Sequence, residues 1–232
     1  MPRAVYTTKT EYVYQAMREK IVSGEWPQGM NIVIGKVAAD FDISAIPVRE
    51  ALRRLDSEGL VQIAAHKGTQ VASLDPARVD EVYAIRSVLE AYAAATALPF
   101  VDAGIMVTLR NAVTEMDALA NDGNSERFGE ANKEFHRSIY KLSPYPMLYD
   151  MIFNLWDGGN WSRSVFAFYP ERMHRSNAEH KTMLDAIEND EPGRLETLVR
   201  SHKTDTALLL RSIAMKNAAA DRQLPKPAVA NG

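Results

Sequence analysis

Apolar residues recur every three to four positions through most of this chain, the spacing that lays one face of an α-helix against a core. Between Thr10 and Val22 the stripe is Val13, Met17, Ile21 and Val22, ending at Ser23-Gly24 before Trp26-Pro27 and Gly29 impose a turn. Ile32 to Ile34 fits a short strand, Gly35 to Phe41 a second helix carrying Val37 and Ala38, and Asp42-Ile43-Ser44 a turn. A third helix then begins, with Ser44 or a neighbour as its cap and Pro47 in the first turn, where a missing N–H costs nothing. Its stripe is Val48, Ala51, Leu52 and Leu55, and it stops at Gly59.

After Gly59, residues Leu60 to Ile63, the turn Ala65-His66-Lys67-Gly68 and residues Thr69 to Ala72 read as a two-stranded ribbon. Three helices and a ribbon make a winged helix-turn-helix domain over residues 1–73, and Ser73-Leu74-Asp75-Pro76 forms a linker. From there the pattern is helical over 76–98, 102–121, 125–142, 145–165, 170–189 and 192–216, interrupted by Pro99, Asp122-Gly123, Ser143-Pro144, Tyr169-Pro170 and Asp190-Glu191-Pro192. Without an internal repeat, residues 74–216 predict an all-α bundle of six to seven helices around an internal site rather than a solenoid. The fold class is therefore mainly α, and residues 217–232, poor in large apolar side chains, read as a flexible tail.

Composition narrows the setting. With 232 residues, 46% hydrophobic and 25% charged, the chain can bury a sizeable core and divide into two domains. It has no cysteine, so disulfides and thiolate metal sites are excluded. No apolar run approaches the roughly 20 residues that span a bilayer, and the first residues lack a signal-peptide core. The expectation is a cytoplasmic protein without a membrane partner. Residues 1–74 hold nine Lys and Arg against eight Asp and Glu, a balance of +1, which leaves 18 against 22, or −4, for the remainder of the −3 total. DNA affinity must then come from where cations sit, not from their sum.

A helix-turn-helix needs polar side chains near the start of its third helix, where base edges come within reach. Ala45, Ile46 and Arg49 occupy the early outward positions, with Arg53 one turn on, and Arg49 is the leading base or phosphate reader. The wing tip offers His66, Lys67 and Gly68, the last small enough for close backbone approach. Lys36, Ser44 and Thr69 are further contact candidates. The competing reading pairs Arg49, Arg53 and Arg54 with Glu50, Asp56 and Glu58 on a solvated helix.

Four of the five histidines lie in the second half. His136 follows Asn132 by four residues, so both share a helical face, while His180 and His202 occupy separate helices. Three imidazoles can thus enter one cavity, a set suited to zinc, nickel, manganese or iron with a position open for an anion. Taken singly, each is more often an ordinary core or surface histidine. His174, six residues before His180, points away.

The segments IVSGEWPQGMNI, ISAIPVREALRRLDSEGLV and HKGTQVA resemble the winged-helix domain of the GntR family across most of residues 10–73. That family usually carries Arg where Ala45 stands and often Thr where Ile46 stands, so a contact available to relatives is absent and the expectation is a changed operator preference or weaker binding. Residues 76–216 resemble the helical FCD effector domain of its FadR-like branch, through Arg86 to Glu90, N-x-x-F-H, S-x-x-E-H and a last histidine. The resemblance implies Asn132, His136, His180 and His202 as metal ligands, zinc first among the candidates. It also implies Arg86 as a pocket cation for a carboxylate, although an ion pair with Glu90 competes. Asn132 is neutral where metal-binding members more often have Asp, so more positive charge remains for an anion. Tyr140, Asn160, Arg163 and Asn177 complete the expected effector set because they fall on helices facing the histidines.

The function these readings imply is a homodimeric transcriptional regulator, a repressor by family habit, that binds double-stranded operator DNA under control of a small carboxylate effector. A metal-dependent enzyme is the rival from another class. Against it stand the missing H-E-x-x-H, phosphate loop and nucleophile elbow, and the placing of Glu134 and Glu179 on other helical faces than their neighbours His136 and His180. A structural DNA-binding dimer without effector is the third.

Overall fold

Thr8 caps the first helix by accepting from the Glu11 amide at 3.1 Å, and α1 (Lys9–Val22) presents Val13, Tyr14, Met17 and Ile21 inward. The structure is a computed structural model that describes residues 8–64, 68–73, 75–157 and 161–221. After α1 come β1 (Asn31–Ile32), α2 (Ile34–Asp40), α3 (Ala45–Ser57), β2 (Val61–Ala64) and β3 (Gly68–Val71). Val48, Ala51, Leu52 and Leu55 of α3 are fully enclosed against α1, as the period requires. Gly59 leaves α3 with φ +73, which a side chain would resist.

Two local expectations change. The ribbon is a three-stranded antiparallel sheet in the order β1-β3-β2, because β1 pairs Asn31 with Gln70 and Ile32 with Thr69 on the outer edge of β3. Ser44 holds the extended N-cap position of α3 (φ −74, ψ 164) but makes no capping side-chain hydrogen bond.

The second half contributes α4 (Pro76–Ala97), a 3₁₀ turn (Leu98–Phe100), α5 (Ala103–Asn121), α6 (Ser125–Tyr140), α7 (Pro146–Asp157), α8 (Trp161–Phe168), α9 (Glu171–Glu188) and α10 (Pro192–Asp221). Asp75, Asp102 and Asn124 cap α4, α5 and α6 with side-chain acceptors. The single helix expected over 145–165 is described as α7 and α8, and residues 158–160 between them lie outside the described residues. Helix α10 runs on through Ala218-Ala219-Ala220, the best helix-forming residues, to Asp221. It lies along α4, and the seven helices share one core that includes Phe128, Phe135, Ile139, Tyr140 and Met116. No helix among the described residues is long and apolar enough to cross a membrane.

The two halves are joined by more than the linker. Ala167 of α8 is buried in the core of the winged helix, and its carbonyl accepts from Arg18 Nη2 at 2.8 Å. Glu58, 1% exposed at the end of α3, accepts from the Tyr14 hydroxyl and from Arg18 Nε at 3.3 Å. Arg54 stacks 3.7 Å over the Tyr14 ring and reaches Glu126 of α6 at 3.3 Å, and Glu126 also accepts from Ser57 Oγ. Burial raises the Glu58 carboxyl pKa against the pull of its hydrogen bonds and arginines, and burial together with Glu58 raises the Tyr14 phenol.

Removing Glu58 strands the buried Tyr14 hydroxyl, while Arg18 and Arg54 keep access to solvent and Arg54 keeps Glu11 and Glu126. Glu58→Ala should therefore cost about 1–3 kcal/mol, whereas Glu126→Ala at the more accessible end should cost under about 1 kcal/mol. Urea unfolding of the two variants, compared with the unaltered protein, measures the difference.

Candidate DNA-reading surface and histidine cavity

Once α3 has buried one stripe, its outward residues are Ile46, Arg49, Glu50 and Arg53. Ile46, Arg49 and Arg53 stand at i, i+3 and i+7 on one face, and Glu50 is turned aside to accept from Thr10 Oγ1 at 2.9 Å. Neither Arg49 nor Arg53 forms an ion pair among the described residues. Arg54 is the one that does, through Glu11, Glu58 and Glu126. The salt-bridge reading thus fails for Arg49 and Arg53 and holds for Arg54. Lys36 is exposed on α2, and Gly68 is exposed at φ +84, a conformation that itself favours glycine. Thr69 is only 8% exposed, because alternation along β3 turns it inward, and it is not available to DNA. His66 and Lys67 lie outside the described residues.

In the helical half, α6, α9 and α10 bring His136, His180 and His202 together. The ring centroids form a near-equilateral triangle with sides of 5.0, 5.1 and 5.1 Å, and the three can offer nitrogens within 4.8 Å of one another. All three are buried, and burial first, then neighbouring Lys203 and the other histidines, holds their pKa values well below the ordinary 6.5. Nε2 of His136, both ring nitrogens of His180 and Oδ1 of Asn132 are buried without a hydrogen-bond partner. A buried unpaired polar atom costs about 1–3 kcal/mol, and three of these can offer a lone pair, one each from Asn132, His136 and His180, the second His180 nitrogen carrying the ring's N–H. Such a set suits a divalent transition metal.

Neighbours fix how the rings are turned. His202 Nδ1–H donates to Glu179 Oε2 at 2.6 Å, which leaves Nε2 as the lone-pair nitrogen. Glu179 is itself held by Arg172 through two bonds of 2.8 and 2.7 Å. His136 Nδ1 lies 3.1 Å from the Tyr140 hydroxyl, whose pKa is raised by burial first and then by the nearby Glu90 charge. With Nδ1 so engaged, His136 keeps Nε2 without a hydrogen-bond partner.

Glu90 is the hub beside them. Its Oε1 accepts from Arg86 Nε at 2.7 Å and Trp156 Nε1 at 2.8 Å, and Lys203 Nζ lies 2.9 Å from Oε2. Burial pushes the Glu90 carboxyl up, but Arg86 and Lys203 outweigh it and hold the pKa at about 2. Burial lowers Lys203 to about 8 despite the Glu90 charge. Two cations against one carboxylate leave a net positive charge. The adjoining cavity, lined by Tyr83, Arg86, Asn132, Trp156, Phe166, His202, Lys203 and Thr206, has a volume of about 10 Å³, room for roughly one water molecule.

The structure therefore gathers Asn132, His136, His180, His202, Arg86 and Tyr140, and Arg86 is both a cavity cation and the partner of Glu90. Asn177 is buried on α9, but its amide nitrogen is committed to the Val113 carbonyl at 2.9 Å and Asp117 at 2.7 Å, pinning α9 to α5. Asn160 lies outside the described residues, as does the side chain of Arg163. His174 is exposed, as its spacing predicts. Lys203, Trp156, Phe166 and Glu179 were missed. Glu179 does turn off the His180 face, as expected, but that turn is what brings it to His202. Helical spacing from His202 would not have found Lys203, since adjacent residues do not share a face.

A reading head with an exposed cationic stripe, joined to a helical domain with a buried polar cavity, defines a DNA-binding transcriptional regulator. Residues 9–71 match the model for bacterial regulatory proteins of the gntR family, and residues 81–205, more than half the chain, match the FCD domain. The chain belongs to the GntR family and carries an FCD domain, in keeping with the FadR-like branch. It is 27% identical over 222 residues to a probable D-xylose utilization operon transcriptional repressor of Paenarthrobacter nicotinovorans, covering 94% of this chain and 95% of that one. It is 22% identical to the Escherichia coli repressor RspR, covering 89% and 91%. The E. coli McbR/YncC structure shares the fold, with a TM-score of 0.59 and 21% identity over 90% of this chain and 99% of that one. These relatives are regulators, not enzymes.

The buried imidazoles set an acid limit on the metal-free protein. Their folded pKa values lie below the unfolded value of 6.5, so only the unfolded chain takes up protons as pH first falls below it. Stability should be full above about pH 6.5 and decline below it, by about 1.4 kcal/mol per pH unit for each imidazole. Chelator-treated protein unfolded in urea from pH 7.5 to 5 checks the slope. A flat profile would mean that the imidazoles protonate in the folded state.

Proposed function

We propose that this regulator is a homodimeric repressor whose grip on a palindromic operator is set by a small carboxylate bound beside a divalent metal in the histidine cavity. The observation that carries the reading is the set of buried, unpartnered lone-pair atoms on Asn132, His136 and His180, closed by His202. These four side chains would hold the metal, zinc first, with nickel, manganese or iron as alternatives. When bound, such a metal supplies a coordination position for a carboxylate oxygen. Arg86 and Lys203 orient and neutralise the anion, and neutral Asn132 keeps the site more positive than an aspartate would. Repression follows the relatives named as repressors. A regulator of operator DNA would work in the cytoplasm.

The cavity is too small for an organic acid as it stands, so binding must move a wall. Phe166 is that wall on α8, and the next residue, Ala167, is set into the winged-helix core with its carbonyl on Arg18. An effector that displaces Phe166 therefore favours a different seating of the reading head, the differential binding that a switch requires. The Ser73 to Pro76 linker is a second route.

Dimerisation has a suitable face. Ala84, Ile85, Val88 and Tyr92 are exposed along α4 without an intervening exposed charge, and Tyr92 stacks on Tyr145 at 5.8 Å beside Met147 and Met151 at the start of α7. A two-fold pairing of this face would present two reading heads to two half-sites.

Metal content of untagged protein tests the site. About one transition metal per chain is expected, with loss in each of His136→Ala, His180→Ala and His202→Ala. A metal-free wild type that binds DNA would overturn the metal while leaving the reading head. For the dimer, Val88→Glu should halve the mass measured by light scattering with unchanged circular dichroism, and weaken operator binding on the order of 100-fold. A variant that remains dimeric would place the interface elsewhere.

A further inference from the structure

Ile46 is 68% exposed at the second position of α3. It cannot turn into the core, because Val48, Ala51, Leu52 and Leu55 hold the opposite stripe. It shares its own stripe with Arg49 and Arg53, whose guanidinium groups make no ion pair among the described residues. The cations one and two turns along complement phosphate or base edges, so the occupant of this face is duplex DNA, and Ile46 is the stripe's leading residue. Ala45 before it offers no donor or acceptor.

An isoleucine side chain can neither donate nor accept a hydrogen bond. In the major groove the complementary apolar feature is the C5 methyl of thymine, absent from the other three bases. Branching at Cβ limits Ile46 to few rotamers, so little freedom is lost when the contact forms. We propose that Ile46 is a specificity-determining residue that reads a thymine methyl in each operator half-site. The proposal rests on α3 being the DNA-reading helix, and it adds the base that this chain's own departure at position 46 selects.

The full-length protein would first be used to select an operator from random duplexes, and each thymine would then be replaced in turn, in both half-sites, by deoxyuridine. This substitution removes the methyl group and retains every hydrogen-bonding atom. At one thymine per half-site the unaltered protein should lose roughly three- to ten-fold in affinity, and Ile46→Ala should be indifferent to the same replacement. Arg49→Ala should bind more weakly overall while still distinguishing thymine from deoxyuridine. If the unaltered protein binds the selected duplex and no replacement matters, or if Ile46→Ala keeps the full discrimination, the proposal is wrong. Selection of no duplex at all would overturn the DNA-reading assignment and this proposal with it, a result distinct from an insensitive operator.

Discussion

One buried carboxylate organises the helical half of the molecule. Glu90 on α4 engages Arg86 on the same helix, Trp156 on α7 and Lys203 on α10, so three helices converge on a single charge. A buried carboxylate is costly unless it is answered, and here two cations and an indole N–H answer it. Their positions carry over to the cavity, because Lys203 follows His202 directly on α10. Arg86 and Lys203 also flank the Trp156 ring at 4.7 and 5.0 Å. The cavity's positive charge and its geometry thus have a common origin.

A second buried carboxylate repeats the arrangement at the junction. Glu58 gathers Tyr14, Arg18 and Arg54, and two of these reach across to α8 and α6. Between the two hubs runs α8, with Phe166 against the cavity and also edge-on to Phe128 at 4.7 Å, and Ala167 within the reading-head core. Adjacent residues packed into two different cores have few intermediate positions, so a change at Phe166 is passed on to Ala167 as a shift between packings rather than absorbed.

Much of this was legible beforehand where local rules act alone. The spacing of Val13, Met17 and Ile21 and of Val48, Ala51, Leu52 and Leu55 gave the reading head, and the turn residues gave most helix limits to within a few positions. The three histidines with Asn132 were found through helical spacing and family resemblance. What escaped were contacts between elements: β1 on the edge of β3, Arg54 directed into the junction, and Lys203 beside Glu90.

The amino-acid order by itself determined the helices, the amphipathic α3 with Ile46, Arg49 and Arg53 on its outer face, and the residue types available for metal and anion chemistry. These depend on positions a few residues apart, where backbone geometry dictates which side chains are neighbours. Only the tertiary structure decided that three imidazoles face one another, that Glu179 orients His202, and that α8 bridges cavity and reading head. Those pairings lie 20 to 150 residues apart in sequence, roughly, and arise from how whole helices pack, which no local pattern encodes.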